Sequence, residues 1–264
     1  MLLLRDRALF LQVRACQKRR VEPDEYLLMD AVEDGMWWYR ALHAQVFDAL
    51  DSARPGPGAL LDAGCGTGGF LARLRRERPD QPAAGLEYHP DAAARAAAKS
   101  GVPVVTGTVN AMPFADASFA VVVSLDVLSH AAVEPDRALA EMLRVLRPGG
   151  LLIVNLPAFD WLRSAHDIRV QNARRFTARS AGVMLARAGL QRVRPFYWNS
   201  LLLPVMVLHR KVIARAPEAR SDVAQFPPWL DRSLHAVTRL ERSMLAHGFP
   251  FPAGGSVLAT ALRP

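Results

Sequence analysis

The chain predicts an α/β fold, an open, doubly wound and mostly parallel sheet, on three observations. Short β-rich runs alternate with helical stretches from Leu60 onward, the pattern that a parallel sheet with crossover helices leaves in a sequence. An apolar run stops at Asp62, and glycines then crowd the stretch LLDAGCGTGGF at 60–70, where a first strand-to-helix turn belongs. Finally, 264 residues with a hydrophobic fraction of 51% suffice for one such domain with insertions.

Each element has its own signal. Strands are expected at Ala59–Ala63, Ala84–Glu87, Val102–Val105, Phe119–Ser124 and Leu151–Leu156, with helices at Thr67–Arg78, Asp91–Lys99 and Glu134–Leu146 between them. The third helix starts after Glu134-Pro135-Asp136. It is expected to stop at Arg147-Pro148-Gly149-Gly150, since proline cannot continue a helix and glycine takes the left-handed turn. A helix near Thr177–Ala188 and strands near Arg192–Tyr197 and Ser256–Leu262 follow. Residues 157–176 and the proline-rich 198–254 fall outside the alternation. Such long excursions usually cover or shape a site. A helical lid over 1–50 and a main domain over 51–264 carrying those two insertions complete the expected organisation.

Composition narrows the function. Cys16 and Cys65 are too few for a disulfide framework or an ordinary zinc site, so no metal is expected and a cytoplasmic setting is. Cys65 lies between glycines, where a small side chain fits. The net charge of +8 favours anionic partners, but its arginines are scattered and no separate basic module is present, so no nucleic-acid partner is expected. The apolar run LLLPVMVL at 201–208 is too short to span a bilayer. The N-terminal MLLLRDRALFLQVRACQKRR reads as a basic amphipathic helix rather than a signal peptide. It would pack on the domain, dock on a membrane surface, or precede the native start, with packing preferred.

The glycine turn carries the chemistry. Gly64, Cys65, Gly66 and Gly68 let a ligand lie against backbone amides. Gly64, Gly66 and Gly69 also satisfy a dinucleotide fingerprint, a weak signal alone. Asp62, however, puts a carboxylate at the strand tip, where it would repel a pyrophosphate and welcome an aminoacyl ammonium. Glu87 ends the second strand in GLEYHP, placed to accept hydrogen bonds from both hydroxyls of a ribose. No Tyr-x-x-x-Lys pair follows for hydride transfer.

DAGCGTG, GLEYHP, MPFADASFAVVVSLDVLSH and LRPGG, in this order, resemble a class I S-adenosylmethionine-dependent methyltransferase of the ubiquinone-biosynthesis-like group over roughly residues 58–197. The resemblance implies a seven-stranded Rossmann-like sheet with an antiparallel last strand. It also implies S-adenosylmethionine as cofactor and S-adenosylhomocysteine as product. Asp62, Gly64, Cys65, Gly66 and Gly68 would line the methionine end, with Glu87 on the ribose and Tyr88 against the adenine. Val109 and Asn110 would flank the adenine edge, and Leu125 and Asp126 the sulfonium side. The family often has an acidic residue where this chain has Thr108, whose hydroxyl would take its place as acceptor.

For the methyl acceptor, the segment PAFDWLRSAHDIRVQNARRFT at 157–177 also resembles part of a subset of these enzymes. His166 is the expected base, with Asp167 orienting it. Trp161 stands in the same segment, and Arg174 and Arg175 would bind an anionic headgroup, unless they clamp the loop to the core. Tyr39 and His43, four apart on one helical face, would line the acceptor pocket, and His130 would approach it. The apolar-then-basic stretch 198–215 would cover an apolar acceptor, dock on an anionic membrane, or pack on the core. The expected activity is methyl transfer to oxygen or carbon of a small, apolar or lipid/quinol-like acceptor, with peripheral membrane contact. The alternative is an inactive cofactor-binding scaffold.

Overall fold

The computed structural model describes residues 23–208 and 226–264. Two helices, α1 (Pro23–Val32) and α2 (Trp37–Ala53), precede the sheet. The alternation follows as β1 (Leu60–Ala63), α3 (Gly69–Glu77), β2 (Ala83–Glu87), α4 (Pro90–Ser100), β3 (Val104–Thr106), β4 (Phe119–Leu125), α5 (Pro135–Val145) and β5 (Leu146–Pro157). Then come a short α6 (Ala165–Arg169), α7 (Ala178–Arg187), β6 (Gln191–Trp198), α8 (Leu203–Leu208), α9 (Pro228–Ala246) and β7 (Ser256–Leu262). The seven strands form one sheet in the order β3-β2-β1-β4-β5-β7-β6. Strands β1 to β5 pair in parallel, and β7 runs antiparallel between β5 and β6.

Period-two alternation sorts the core into two layers. Leu61, Ala63, Val122, Leu152 and Val154 face one side, where they bury Leu139 and Met142 of α5 and Leu185 of α7. Leu60, Val121, Val123, Leu151 and Ile153 face the other, against Leu42, Val46 and Phe47 of α2 and Phe70 and Leu74 of α3. The central strands β1, β4 and β5 are buried on both faces, as parallel strands covered by crossover helices are. Strand order reverses between β1 and β4, so the crevice beyond their carboxyl ends is where an open α/β sheet takes its ligand.

The strands β3 and β5 begin elsewhere than expected. The third strand runs Val104–Thr106 rather than from Val102, because Val102 packs with Leu71 and Ala96 beneath α4. The fifth begins at Leu146, directly after α5, and carries Pro148-Gly149-Gly150 inside it. Those residues do end a helix, but as a bulge: Phe119 pairs with Leu146 and Val121 with Leu151, while Gly149 N donates to Arg263 O and Arg263 N to Gly150 O. Residues 1–20 and the basic 209–215 lie outside the described residues. No helix among those described is long and apolar enough to cross a membrane.

Candidate functional site

Beyond the tips of β1 and β2, three carboxylates gather around the glycine turn. Asp62 is 2% exposed, and its Oδ1 has no hydrogen-bond partner among the described residues. Burial, then the negative charge of Glu87 and Glu33, pushes its pKa up to about 8. Glu87 is buried as well and accepts from Gly66 N at 2.9 Å, His89 N at 2.9 Å and Tyr26 Oη at 3.1 Å; burial dominates and raises its pKa. Glu33 accepts from Thr67 Oγ1 and Lys99 Nζ, each at 2.6 Å. Lys99 also pairs with Asp30, so one ammonium serves several acids and the cluster is left electronegative. A buried carboxylate without a donor is costly in the free protein. It is the mark of a place kept for a cation.

The turn itself leaves no room for side chains. At Gly64, φ is 92°, and a Cβ would strike Val127 of the turn after β4. Gly68 has the same left-handed φ of 92° and lies against the backbone of Ala96, whose Cα would sit 2.7 Å from an added Cβ. Cys65 is buried and free, and its Sγ would lie 2.9 Å from a Cβ on Gly85 of β2. Only a small residue fits there.

Helix α1 roofs this turn. Tyr26 tilts against the His89 ring with centroids 5.2 Å apart, the Met29 methyl approaches Gly66, and Asp30 pairs with Arg95. Tyr26, Met29 and Glu33 were not singled out from the sequence. Their partners lie at Glu87, Gly66 and Thr67, and no local pattern connects such distant positions.

The adenine-side candidates are placed as follows. Tyr88 is half exposed at the β2 tip, and Val109 is buried in the core. The Asn110 side chain bridges Ala132 O and Glu134 N, tying the loop after β3 to the start of α5. The Thr108 hydroxyl accepts from Asn110 N, inside its own turn.

On the other side of the switch point, Leu125 ends β4 and Asp126 follows with a left-handed φ of 59°. Asp126 caps no helix. Its two carboxylate oxygens both accept from Asn155 Nδ2, at 3.0 Å each, and Asn155 Oδ1 accepts from Trp198 Nε1 at 2.8 Å. Burial raises the Asp126 pKa to about 6, against the lowering effect of Asn155 and Arg175. Asn155 interrupts the apolar run LLIVNLP, and a lone polar residue there signals a buried hydrogen bond.

The acceptor-side candidates divide. Asp167 is fully buried, and Arg175, 4% exposed, grips both its oxygens at 3.0 and 2.9 Å while donating to Ala158 O. Asp167 also accepts from Ser164 N at 2.7 Å. Arg174 donates to His130 O and Val133 O. The expected headgroup arginines thus clamp the 157–177 segment to the core. Buried guanidinium groups take such partners because an unpaired charge there is costly. Asp167 likewise holds the loop. His166 lies in α6, and its side chain is outside what is described. His130 stands opposite Asn172 in an isolated antiparallel bridge, held by Ala131 N donating to Gln171 O and Ala173 N to Ser129 O, while its own N–H donates to Val127 O. His43 is 5% exposed with Phe70 edge-on at 5.6 Å, and burial lowers its pKa to about 3. Tyr39 lies 6.4 Å from it, ring to ring. Trp161, half exposed, stacks on Phe159, which stacks on Tyr197.

Comparison with known proteins bears on the domain and its fold. Residues 61–154 match the family described as a methyltransferase domain. An uncharacterised 37.1 kDa protein of transposon TN4556 from Streptomyces fradiae is 35% identical over 159 residues, 57% of this chain and 44% of that protein. The ubiquinone/menaquinone biosynthesis C-methyltransferase UbiE of Methylobacterium nodulans is 28% identical over 158 residues, 54% of this chain and 61% of that one. This chain therefore spans less than two thirds of the length of either relative. Among solved structures, a Thermotoga maritima S-adenosylmethionine-dependent methyltransferase, a possible histamine N-methyltransferase, superposes with a TM-score of 0.59 at 18% identity. That match covers 91% of this chain and 96% of that one, and shows a shared fold.

Proposed function

We propose, from the premise that this chain carries a class I S-adenosylmethionine-dependent methyltransferase domain, that it transfers a methyl group to an oxygen or carbon of a small, apolar or quinol-like acceptor. The observation that carries the cofactor assignment is the buried Asp62 Oδ1, without a hydrogen-bond partner among the described residues, beside a glycine-rich turn. S-adenosylmethionine brings an ammonium group for Asp62 and a ribose diol for Glu87, whereas the pyrophosphate of a dinucleotide would meet the same carboxylates with repulsion.

When bound, that cofactor supplies an already activated methyl group on a sulfonium. The chain's own contribution is alignment and exclusion of water. Gly64, Gly66 and Gly68 keep side chains out of the turn against which the ligand would lie, Asp62 and Glu87 would hold opposite ends of it, and α1 would cover it. Beyond β5, Phe159 stacks against both Trp161 and Tyr197. This apolar surface, with exposed Val205 and Leu208 on α8, supports an apolar acceptor. The UbiE similarity points the same way.

Calorimetry with S-adenosylmethionine and S-adenosylhomocysteine tests the reading. Micromolar binding by the full chain, lost in Asp62→Ala and Glu87→Ala, is expected. Absence of binding by the folded wild type would overturn it. Transfer of labelled methyl from S-adenosylmethionine to a panel of quinols and fatty acids then separates an enzyme from a binding scaffold.

A further inference from the structure

We infer that Asp126 is a counter-charge for the methyl donor, making the site prefer the charged sulfonium of S-adenosylmethionine over the neutral thioether of S-adenosylhomocysteine. This rests on the cofactor assignment above and adds to it a residue that tells the loaded from the spent form.

Position comes first. Asp126 follows the last residue of β4, whose neighbour β1 carries Asp62 and leads into the glycine turn. The next residue, Val127, packs against Gly64, so the left-handed turn at Asp126 is seated on the turn that would cradle the methionine end. Non-glycine residues take that conformation rarely, and they keep it where surrounding structure imposes it. Here Asp126 N donates to Asn155 O at 2.9 Å, and Ser129 Oγ to Asp126 O at 2.7 Å.

Charge is the second argument. Asp126 is held by neutral donors only. Asn155, fully buried, gives both its amide hydrogens' side to the carboxylate because Trp198, 1% exposed, occupies its oxygen. The amide has one orientation, and it fixes the carboxylate without cancelling its charge. The nearby Arg175 guanidinium is already engaged by Asp167, leaving a locally neutral pair. Among the described residues no cation forms an ion pair with Asp126. Asp167 and Asp126 have opposite solutions to the same problem: one is neutralised by a buried arginine, the other is oriented and left negative.

The groups that bear on Asp126 are Asn155 from β5, and Arg175 and Asp167 from the segment between β5 and α7. Both ligands carry the same ammonium, ribose and adenine. The ratio of their dissociation constants cancels the contributions of Asp62 and Glu87 and isolates the charge on sulfur. Burial holds the free carboxylate near 6. A sulfonium favours its ionised form, so the preference for the charged ligand is present above that value and lost below it.

The test is calorimetric, on the full chain, with these two ligands at about pH 5 and about pH 7.5, either side of the Asp126 value. The expected ratio of S-adenosylhomocysteine to S-adenosylmethionine dissociation constants rises roughly tenfold with pH in the wild type, as for a partly buried charge pair, and is flat in Asp126→Asn. A second measurement needs no variant: near pH 6, buffers of differing ionisation enthalpy should show S-adenosylmethionine releasing more protons than S-adenosylhomocysteine. A flat wild-type ratio with equal proton release, both ligands binding, overturns the inference and leaves the cofactor assignment standing. Failure of both ligands to bind the folded wild type removes that assignment and the inference with it.

Discussion

The two halves of the sheet treat buried carboxylates in opposite ways. On the β1–β2 side, Asp62 is buried with an oxygen unsatisfied, and Glu87 and Glu33 crowd it. On the β5–β6 side, Asp167 is just as buried, yet Arg175 and Ser164 meet its oxygens. A satisfied buried ion pair holds a loop in place. An unsatisfied one destabilises the free protein and has a reason only if a ligand completes it. The acids that resemble functional residues in sequence therefore separate by their partners rather than by their burial.

The largest effect that sharpens this contrast is expected at Arg175. Arg175→Met should lower stability by about 3–5 kcal/mol, the cost of leaving one member of a buried pair uncompensated, read as a shifted urea midpoint. If S-adenosylhomocysteine affinity fell while the midpoint held, the clamp would belong to the binding site and the contrast would break. Asp62→Asn should act the other way, stabilising the ligand-free chain at neutral pH by on the order of 2 kcal/mol, the penalty of a buried group without partners. The sign follows from linkage. The folded pKa of about 8 lies above the unfolded value, so the folded state binds the extra proton and stability falls as pH rises from the ordinary carboxylate range towards 8. Thermal melts across that window should show the slope in the wild type and a flatter curve in the variant.

A smaller change is expected at the roof. Tyr26 donates to the carboxylate proposed to take the ribose, so Tyr26→Phe removes a competitor worth about 1 kcal/mol. It should tighten S-adenosylhomocysteine binding several-fold; weakened binding would instead make Tyr26 part of the bound site. The smallest effect belongs to His43. As a packed, uncharged ring it should accept His43→Leu at a cost under about 1.5 kcal/mol, with ligand affinity unchanged. A large loss of affinity would return it to the acceptor pocket.

What the sequence made legible was local. Strand alternation, the glycines of 64–69 and the acids ending β1 and β2 are each set by neighbours within a few residues, and their placement follows from strand and turn geometry. The antiparallel strand between β5 and β6 came from resemblance, since periodicity carries no record of pairing order. Side-chain partners were the part that could not be read. Arg174-Arg175 looks alike whether it meets an anion or a carbonyl, and only the folded loop shows Asp167 and Val133 waiting for it. His43 lies beside Tyr39, as helical spacing puts it, but spacing could not name its other neighbour, Phe70, which packs in turn on Phe47. Asn155 was within reach, because nothing apolar explains an amide in the middle of LLIVNLP.

The position of β7 has a consequence for how the chain assembles. Among the described residues strand β6 pairs only with β7, and β7 is the last described element to be synthesised. Until it emerges from the ribosome, β6 has no neighbour in the sheet, and the edge of β5 stands open as a template for stray pairing. Trp198 sits at the end of β6, so the amide that holds Asp126 is locked only when that final strand inserts. The β1–β4 half can close early, while the β5–β6 half waits for a long-range pairing and folds slowly. Chaperone dependence, if the chain has any, should therefore vanish once residues 256–262 are in place.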